Sequence, residues 1–286
     1  MTIELVEASR EHLDEISKIA YDAFQKLSER HGFPPDFPNS QSARPVFELL
    51  VQRSDYFGLV ALVDKKPVGS NFVLKSDQVA AIGPLSVEPK FQAHGIGRLL
   101  MSGLIAHVSM RKFNDIRLLA DSHNVGAIAL YTSLGFVVRD FVALIHTSPS
   151  PVRDPTVRKM MPSDLPAINQ LSKNHYKTSR YNEMVNSAQY GFTIYIRERD
   201  GRPTGYLLPG LIGHSCAETT EDTIALMSEA ARVVIPSFRK YLCPMSEPDL
   251  LQNSIKAGWK IEKLLTYMSL GKYEHPTSVW TPSACY

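Results

Sequence analysis

The stretch Leu85-Ser86-Val87-Glu88-Pro89-Lys90-Phe91-Gln92-Ala93-His94-Gly95-Ile96-Gly97-Arg98-Leu99-Leu100-Met101 reads as the end of a buried strand, a short turn and the start of an amphipathic helix. Val79 to Val87 is apolar enough for a strand covered on both faces. Downstream, Ile96, Leu99, Leu100, Leu104 and Val108 fall on one helical face. Between them lies Gln92-x-x-Gly95-x-Gly97. Two glycines at the first turn of a helix leave backbone N–H groups uncovered by side chains and without acceptors inside the helix. The helix dipole adds partial positive charge there, which makes the turn a candidate phosphate cradle. It is neither the three-glycine dinucleotide fingerprint nor a P-loop, which requires Gly-Lys-Ser/Thr.

The chain of 286 residues has room for one large or two ordinary domains. Its 44% hydrophobic and 21% charged residues are those of a soluble globular protein. A formal net charge of +2 with no long basic run gives no electrostatic case for nucleic acid. No apolar run approaches the roughly 18 residues of a membrane span. The start Met1-Thr2-Ile3-Glu4-Leu5 lacks the basic and apolar regions of a signal peptide. Cys216, Cys243 and Cys285 have no metal-ligand spacing and are odd in number, so free thiols in a reducing cytoplasm are expected, with no metal.

Working outward, Ile3 to Val6 is a strand candidate, with Ser9 placed to cap a helix carrying Leu13, Ile16, Ala20, Ala23, Phe24 and Leu27. His31-Gly32-Phe33-Pro34-Pro35-Asp36-Phe37-Pro38-Asn39 excludes regular structure, and its two phenylalanines suggest a loop that packs on something, as a lid does. Pro45 to Val51 reads as a second helix. Gly58 to Val63 and Val68 to Leu74 read as a hairpin. Pro84, inside the central strand, cannot donate a ladder hydrogen bond, so Gly83-Pro84 predicts a bulge or splay. Ile116 to Ala120 is a further buried strand. Asp121-Ser122-His123-Asn124 opens a short helix that Gly135 closes, and Val137 to Ile145 is a last strand. Asn124 and Tyr131, seven residues apart, share one face of that helix.

These two motifs, Gln92-x-x-Gly95-x-Gly97 and Asn124-x-x-Ala127-x-x-Leu130-Tyr131-x-x-Leu134-Gly135-Phe136, in this order and within this strand and helix sequence, resemble the signatures of the GNAT superfamily of N-acetyltransferases. The resemblance implies an α/β fold with a mixed sheet and acetyl-CoA as co-substrate. It implies that Gln92, Ala93, His94, Gly95, Ile96, Gly97 and Arg98 meet the diphosphate, that Leu85, Ser86, Val87 and Asn124 meet the pantetheine arm, and that the Val87 N–H holds the oxyanion. Tyr131 would protonate the departing sulfur. One departure is visible: the glutamate base that many of these enzymes carry six residues before the position of Val87 is here Ala81. Asp77, Asp36, His31, His123 and His214 are the candidate replacements, with water relay as the alternative. Asp36, Asn71 and His214 are the candidate acceptor contacts, and Ser86 a further polar lining residue.

Ser148 to Pro155, with three prolines and two serines, reads as a linker. After it Val157 to Ile168 echoes Ile3 to Asp14, and Gly258-Trp259 parallels Gly135-Phe136. A hairpin around Asp200-Gly201, a helix from Thr220 to Val234 and a strand from Leu264 to Leu270 complete a second half without the glycine cradle, and Ser254 stands where Tyr131 would. The expected organisation is therefore two GNAT-like domains in tandem: residues 1–147 binding acetyl-CoA, a linker over 148–156, and a degenerate copy over 157–286 that closes the substrate cleft. Gly32 to Pro38, Gly69 to Phe72, Ile82 to Pro84, Gly213-His214 and Pro282-Ser283 extend the resemblance to tandem GNAT proteins of the YitH type. The apolar tail Trp280 to Tyr286 is expected to tuck against the domain interface.

The expected function is acetyl transfer from acetyl-CoA directly to a primary amine of a small molecule or amino acid, in a cytoplasmic monomer or homodimer with no nucleic-acid or membrane partner. The alternatives are a non-catalytic acyl-CoA sensor and an acyltransferase using a longer acyl chain.

Overall fold

The computed structural model describes residues 2–284, so Cys285 and Tyr286, the end of the expected tail, lie outside it. The chain forms two compact units, Met1–Val137 with Ser269–Gly271, and Val138–Met268 with Lys272–Tyr286. The strand Val137–His146, read from the sequence as the close of the first domain, thus lies almost wholly in the second unit. Both units are mixed α/β.

In the first unit, β1 (Ile3–Glu7), α1 (Leu13–His31), α2 (Ser40–Gln52), β2 (Tyr56–Val63), β3 (Lys66–Leu74), β4 (Ala80–Ile82), β5 (Ser86–Val87), α3 (Ile96–Met110), β6 (Asp115–Asp121) and α4 (Val125–Ser133) follow in order. The sheet runs β1-β2-β3-β4-β6, antiparallel except for the parallel pair β4 and β6. Alternation along β2 sends successive side chains to opposite faces. Val60 packs with Leu13, Ile16 and Ala20 of α1 and Phe47 of α2, whereas Ala61 packs with Ile96 and Leu100 of α3. Leu99, read from the sequence as part of that apolar stripe, is exposed.

The central strand is broken where Pro84 predicts it. β4 pairs with β3 at Val73↔Ile82 and Leu74↔Ala81, and β5 pairs with β3 at Gly69↔Val87 and Ser70↔Ser86. Between the two pairings the register slips by one residue, which places a bulge at Gly83-Pro84-Leu85. On the other side β6 pairs with β4 at Ala80↔Ile116 and Ala81↔Arg117. Beyond the bulge β5 stays with β3, and the end of β6 diverges from it.

A buried ion pair ties the end of α2 to this sheet. Arg53 donates to both Asp55 oxygens, Nε to Oδ1 at 2.9 Å and Nη2 to Oδ2 at 2.6 Å, and Ser76 Oγ donates to Oδ2 at 2.6 Å. Removing one member strands a buried charge. Asp55→Ala is expected to lower unfolding stability by about 3 to 5 kcal/mol, read from urea melts. A loss below about 1 kcal/mol would place the pair in water.

The second unit contains β7 (Val137–His146, from Val138 on), β8 (Val157–Lys159), α5 (Leu165–Leu171), α6 (Tyr181–Gln189), β9 (Tyr195–Arg199), β10 (Arg202–Leu207), β11 (Ser215–Ala217), α7 (Thr220–Ala230), β12 (Lys240–Pro244), α8 (Pro248–Lys256), β13 (Lys260–Gly271, to Met268) and β14 (Val279–Thr281). A five-stranded sheet runs β14-β11-β10-β9-β8, and β7 lies between β13 and β12. The hairpin turns at Asp200 and Gly201, both with positive φ, as the sequence suggests. α6, β11 and β14 are additional to the sequence reading. The tail residues Val279 to Thr281 form β14 against β11, and Trp280 is fully buried between Tyr176 and Tyr267. Cys216 and Cys243 are buried free thiols.

Candidate active site

A cavity of about 720 Å³ opens in the first unit where β5 and the end of β6 part. Leu85, Ser86 and Val87 form one wall, and residues from His123 to Ala127 with Leu130 and Tyr131 form the facing one. The start of α3 and one face of α1 complete it.

The α3 turn is built as its glycines require. Gly95 occupies the N-cap position with φ 83° and ψ −4°, and Ala93 also takes a positive φ of 64°. The first intrahelical bond runs from Leu99 N to Gly95 O at 3.0 Å, so the N–H groups of Ile96, Gly97 and Arg98 have no acceptor within the helix. Gln92 turns inward and donates Nε2 to Val87 O at 3.1 Å, tying the loop to β5. Gln92, Ala93, Gly95, Gly97 and Arg98 line the cavity. Ile96 faces the core, and the exposed His94 ring contacts Gln92 O at 2.8 Å through Nδ1. Arg98 Nη2 donates to Ser133 Oγ at 2.6 Å, which joins α3 to α4 across the mouth.

α4 is set by its two ends. Asn124 Oδ1 accepts from Ala127 N at 3.1 Å as the N-cap. At the other end Gly135, φ 93°, donates to Thr132 O and Phe136 N donates to Tyr131 O, a Schellman closure. Tyr131 thereby turns into the cavity with only 7% of its surface exposed. Burial pushes its phenol above the ordinary value, so the hydroxyl keeps its proton at neutral pH.

Ser86 shares its hydroxyl with Ser70 Oγ at 3.3 Å on the β5 wall. The loop after α1 packs, as its aromatic residues suggest. Phe33 stacks on His123 with centroids 4.4 Å apart and an interplanar angle of 21°, and His31 lies 4.9 Å from His123. Both histidines line the cavity. The other candidates lie elsewhere. Asn71 is buried under the sheet, donating to Met101 Sδ and accepting from Phe72 N. Asp36 is exposed in the loop and Asp77 half-buried before β4, neither of them lining the cavity. His214 belongs to the second unit, where Tyr206 Oη contacts its Nδ1 at 3.1 Å and burial holds it neutral.

The sequence reading misses the polar face of α1. Lys26 and Arg30, one helical turn apart, line the cavity together with Arg98, and among the described residues no carboxylate lines it. Their spacing beside the apolar stripe of Ala23, Phe24 and Leu27 is the available signal, but it reads as an ordinary solvated edge. Three permanent cations and a helix N-terminus around one cavity form a site for a polyanion.

A mixed sheet broken at its central strand, a glycine-started helix at the break and a buried tyrosine thus meet at one cavity. Residues 14–136 match the sequence profile of the acetyltransferase (GNAT) family. Among curated proteins, an uncharacterized N-acetyltransferase of Methanocaldococcus jannaschii is 26% identical over 148 residues, covering 49% of this chain and 63% of the relative. The ribosomal protein bS18 alanine N-acetyltransferase of Salmonella typhimurium is 40% identical over 57 residues, 20% of this chain and 38% of that enzyme. The chain thus spans less than two thirds of either relative. A solved structure from Pyrococcus horikoshii superimposes with a TM-score of 0.79 at 19% identity, covering 97% of this chain and 92% of its own, and shares the fold. Among the described residues no group of side chains could hold a metal ion, and no helix is long and apolar enough to cross a membrane.

Proposed function

We propose that the chain is an N-acetyltransferase that moves the acetyl group of acetyl-CoA directly to a primary amine of a small molecule or amino acid. The observation that carries this reading is the joining, in one cavity, of the uncovered α3 amides, the gap beside Val87 and the protonated Tyr131 hydroxyl. The amides of Ile96 to Arg98, with Lys26, Arg30 and Arg98, hold the phosphates. Val87 and Leu85 lie on the broken strand, where backbone groups are released from the β4–β6 ladder to pair with an extended pantetheine arm. Amine and thioester held side by side gain most of their acceleration from proximity. The Val87 N–H stabilises the oxyanion formed on attack. Tyr131 gives its proton to sulfur as the C–S bond breaks. The second unit serves as a degenerate copy of the first, without its glycine cradle.

Thiol release from acetyl-CoA, followed with a panel of primary amines that includes glycine, L-lysine, L-alanine amide and phenethylamine, tests this. Steady release with at least one amine is expected. Tight acetyl-CoA binding without turnover on any amine would overturn the catalytic reading in favour of a sensor.

A further inference from the structure

Ala81 leaves the acetyl transfer without a carboxylate base on the central strand, yet an ammonium cannot attack a thioester until it loses a proton. Among the described residues the cavity holds two imidazoles, those of His31 and His123, and no carboxylate. They differ in setting. His31 is exposed at the last position of α1, where the chain turns at Gly32. The His123 side chain is 12% exposed and is held from three directions. Phe33 stacks on one face, His31 lies at its edge, and Asp121 Oδ2 is 3.9 Å from Nε2.

His123 lies just past the end of β6 at Asp121, and its ring lines the same cavity as Val87. Val87 N–H is where the oxyanion is held, and Tyr131 faces the cavity from the next helix. A base at His123 therefore shares one cavity with the oxyanion donor and the Tyr131 hydroxyl.

We propose that His123 is the catalytic base that deprotonates the acceptor amine, with Asp121 as its positioning residue. This rests on the acetyltransferase reading of the same cavity. The neutral imidazole takes the ammonium proton, and the Asp121 carboxylate, 3.9 Å from its Nε2, stabilises the imidazolium that forms. That proton passes to His123 and then to solvent. The neutral amine attacks the carbonyl, the C–N bond forms and the C–S bond breaks. The remaining nitrogen proton replaces the one that Tyr131 gives to sulfur, so the products are amide, free thiol and one released proton. The charged groups around the ring divide by sign. Lys26, Arg30 and Arg98 on the cavity wall disfavour the doubly protonated imidazole, His31 adds to that when protonated, and Asp121 opposes them. Tyr131, kept neutral by burial, adds no charge.

The test is the pH dependence of kcat/KM for the wild type, His123→Gln, His123→Ala and Asp121→Asn, using whichever panel amine the wild type acetylates, with acetyl-CoA affinity measured in parallel. The wild type should show a limb rising between about pH 5 and 8. His123→Gln should lower kcat about 100-fold or more and lose that limb, with acetyl-CoA affinity within twofold of wild type, which also reports a folded cavity. Added imidazole should restore part of the rate of His123→Ala. Asp121→Asn should lower kcat less and shift the limb, and His31→Gln should keep it. Wild-type turnover with an unchanged rate and limb in His123→Gln would overturn the assignment while leaving the acetyltransferase reading intact. No wild-type turnover on any amine would overturn both.

Discussion

Gly97→Glu is expected to raise the acetyl-CoA dissociation constant at least about 100-fold, or about 2.7 kcal/mol. The effect is local. A Cβ at Gly97 meets Leu130 Cδ2 at 3.4 Å and Leu85 Cδ2 at 3.8 Å, ordinary contacts that the fold accepts. The carboxylate beyond it enters the turn where the α3 amides point. At about 4 Å from a phosphate, a second negative charge costs roughly 4 kcal/mol at an effective dielectric of about 20. Gly97→Ala separates charge from bulk and should cost no more than about tenfold. Gly95 is a different case, since its φ of 83° strains any side chain whatever the space. Titration calorimetry reads all three. An unchanged affinity in Gly97→Glu would remove the diphosphate from this turn.

Tyr131→Phe should lower kcat about 100-fold while acetyl-CoA affinity stays within about twofold. The ring packs against Phe136 at 6.2 Å and stays in place without its hydroxyl. What is lost is the proton that meets the leaving sulfur, an interaction made as the C–S bond breaks and not in the ground state. Turnover unchanged from wild type would give that proton to solvent. Equal losses in binding and turnover would make the hydroxyl a ground-state contact.

How far the sequence reveals the site depends on whether the signal is local. Gly95 and Gly97 are legible because helix starts impose local backbone demands, and the structure gives Gly95 the left-handed conformation that glycine favours. Pro84 is legible because a missing N–H must interrupt a ladder, and the register slip falls at that place. Gly135 is legible as a helix stop for the same kind of reason. The polar face of α1 is not legible. Lys26 and Arg30 read as solvated charge until the sheet, not the helix, determines that their side faces the cavity. His123 stands out among five base candidates only once Phe33 from a distant loop packs on it. Asn71 and His214 show the converse. Polar residues that read as substrate contacts are buried and hydrogen-bonded in the structure. β11 and β14, three residues each, are too short to show an alternating period, and they exist because they pair with each other.

The most direct measurement of where acetyl-CoA binds is an amide chemical-shift titration with the coenzyme on isotope-labelled protein, assigned at Val87, Gly95, Ile96, Gly97, Arg98 and Asn124. Large saturable shifts at the α3 turn and at Val87, abolished by Gly97→Glu, are expected. Saturable shifts confined to residues 138–268, with the α3 turn silent, would contradict the placement of the diphosphate and with it the proposed chemistry.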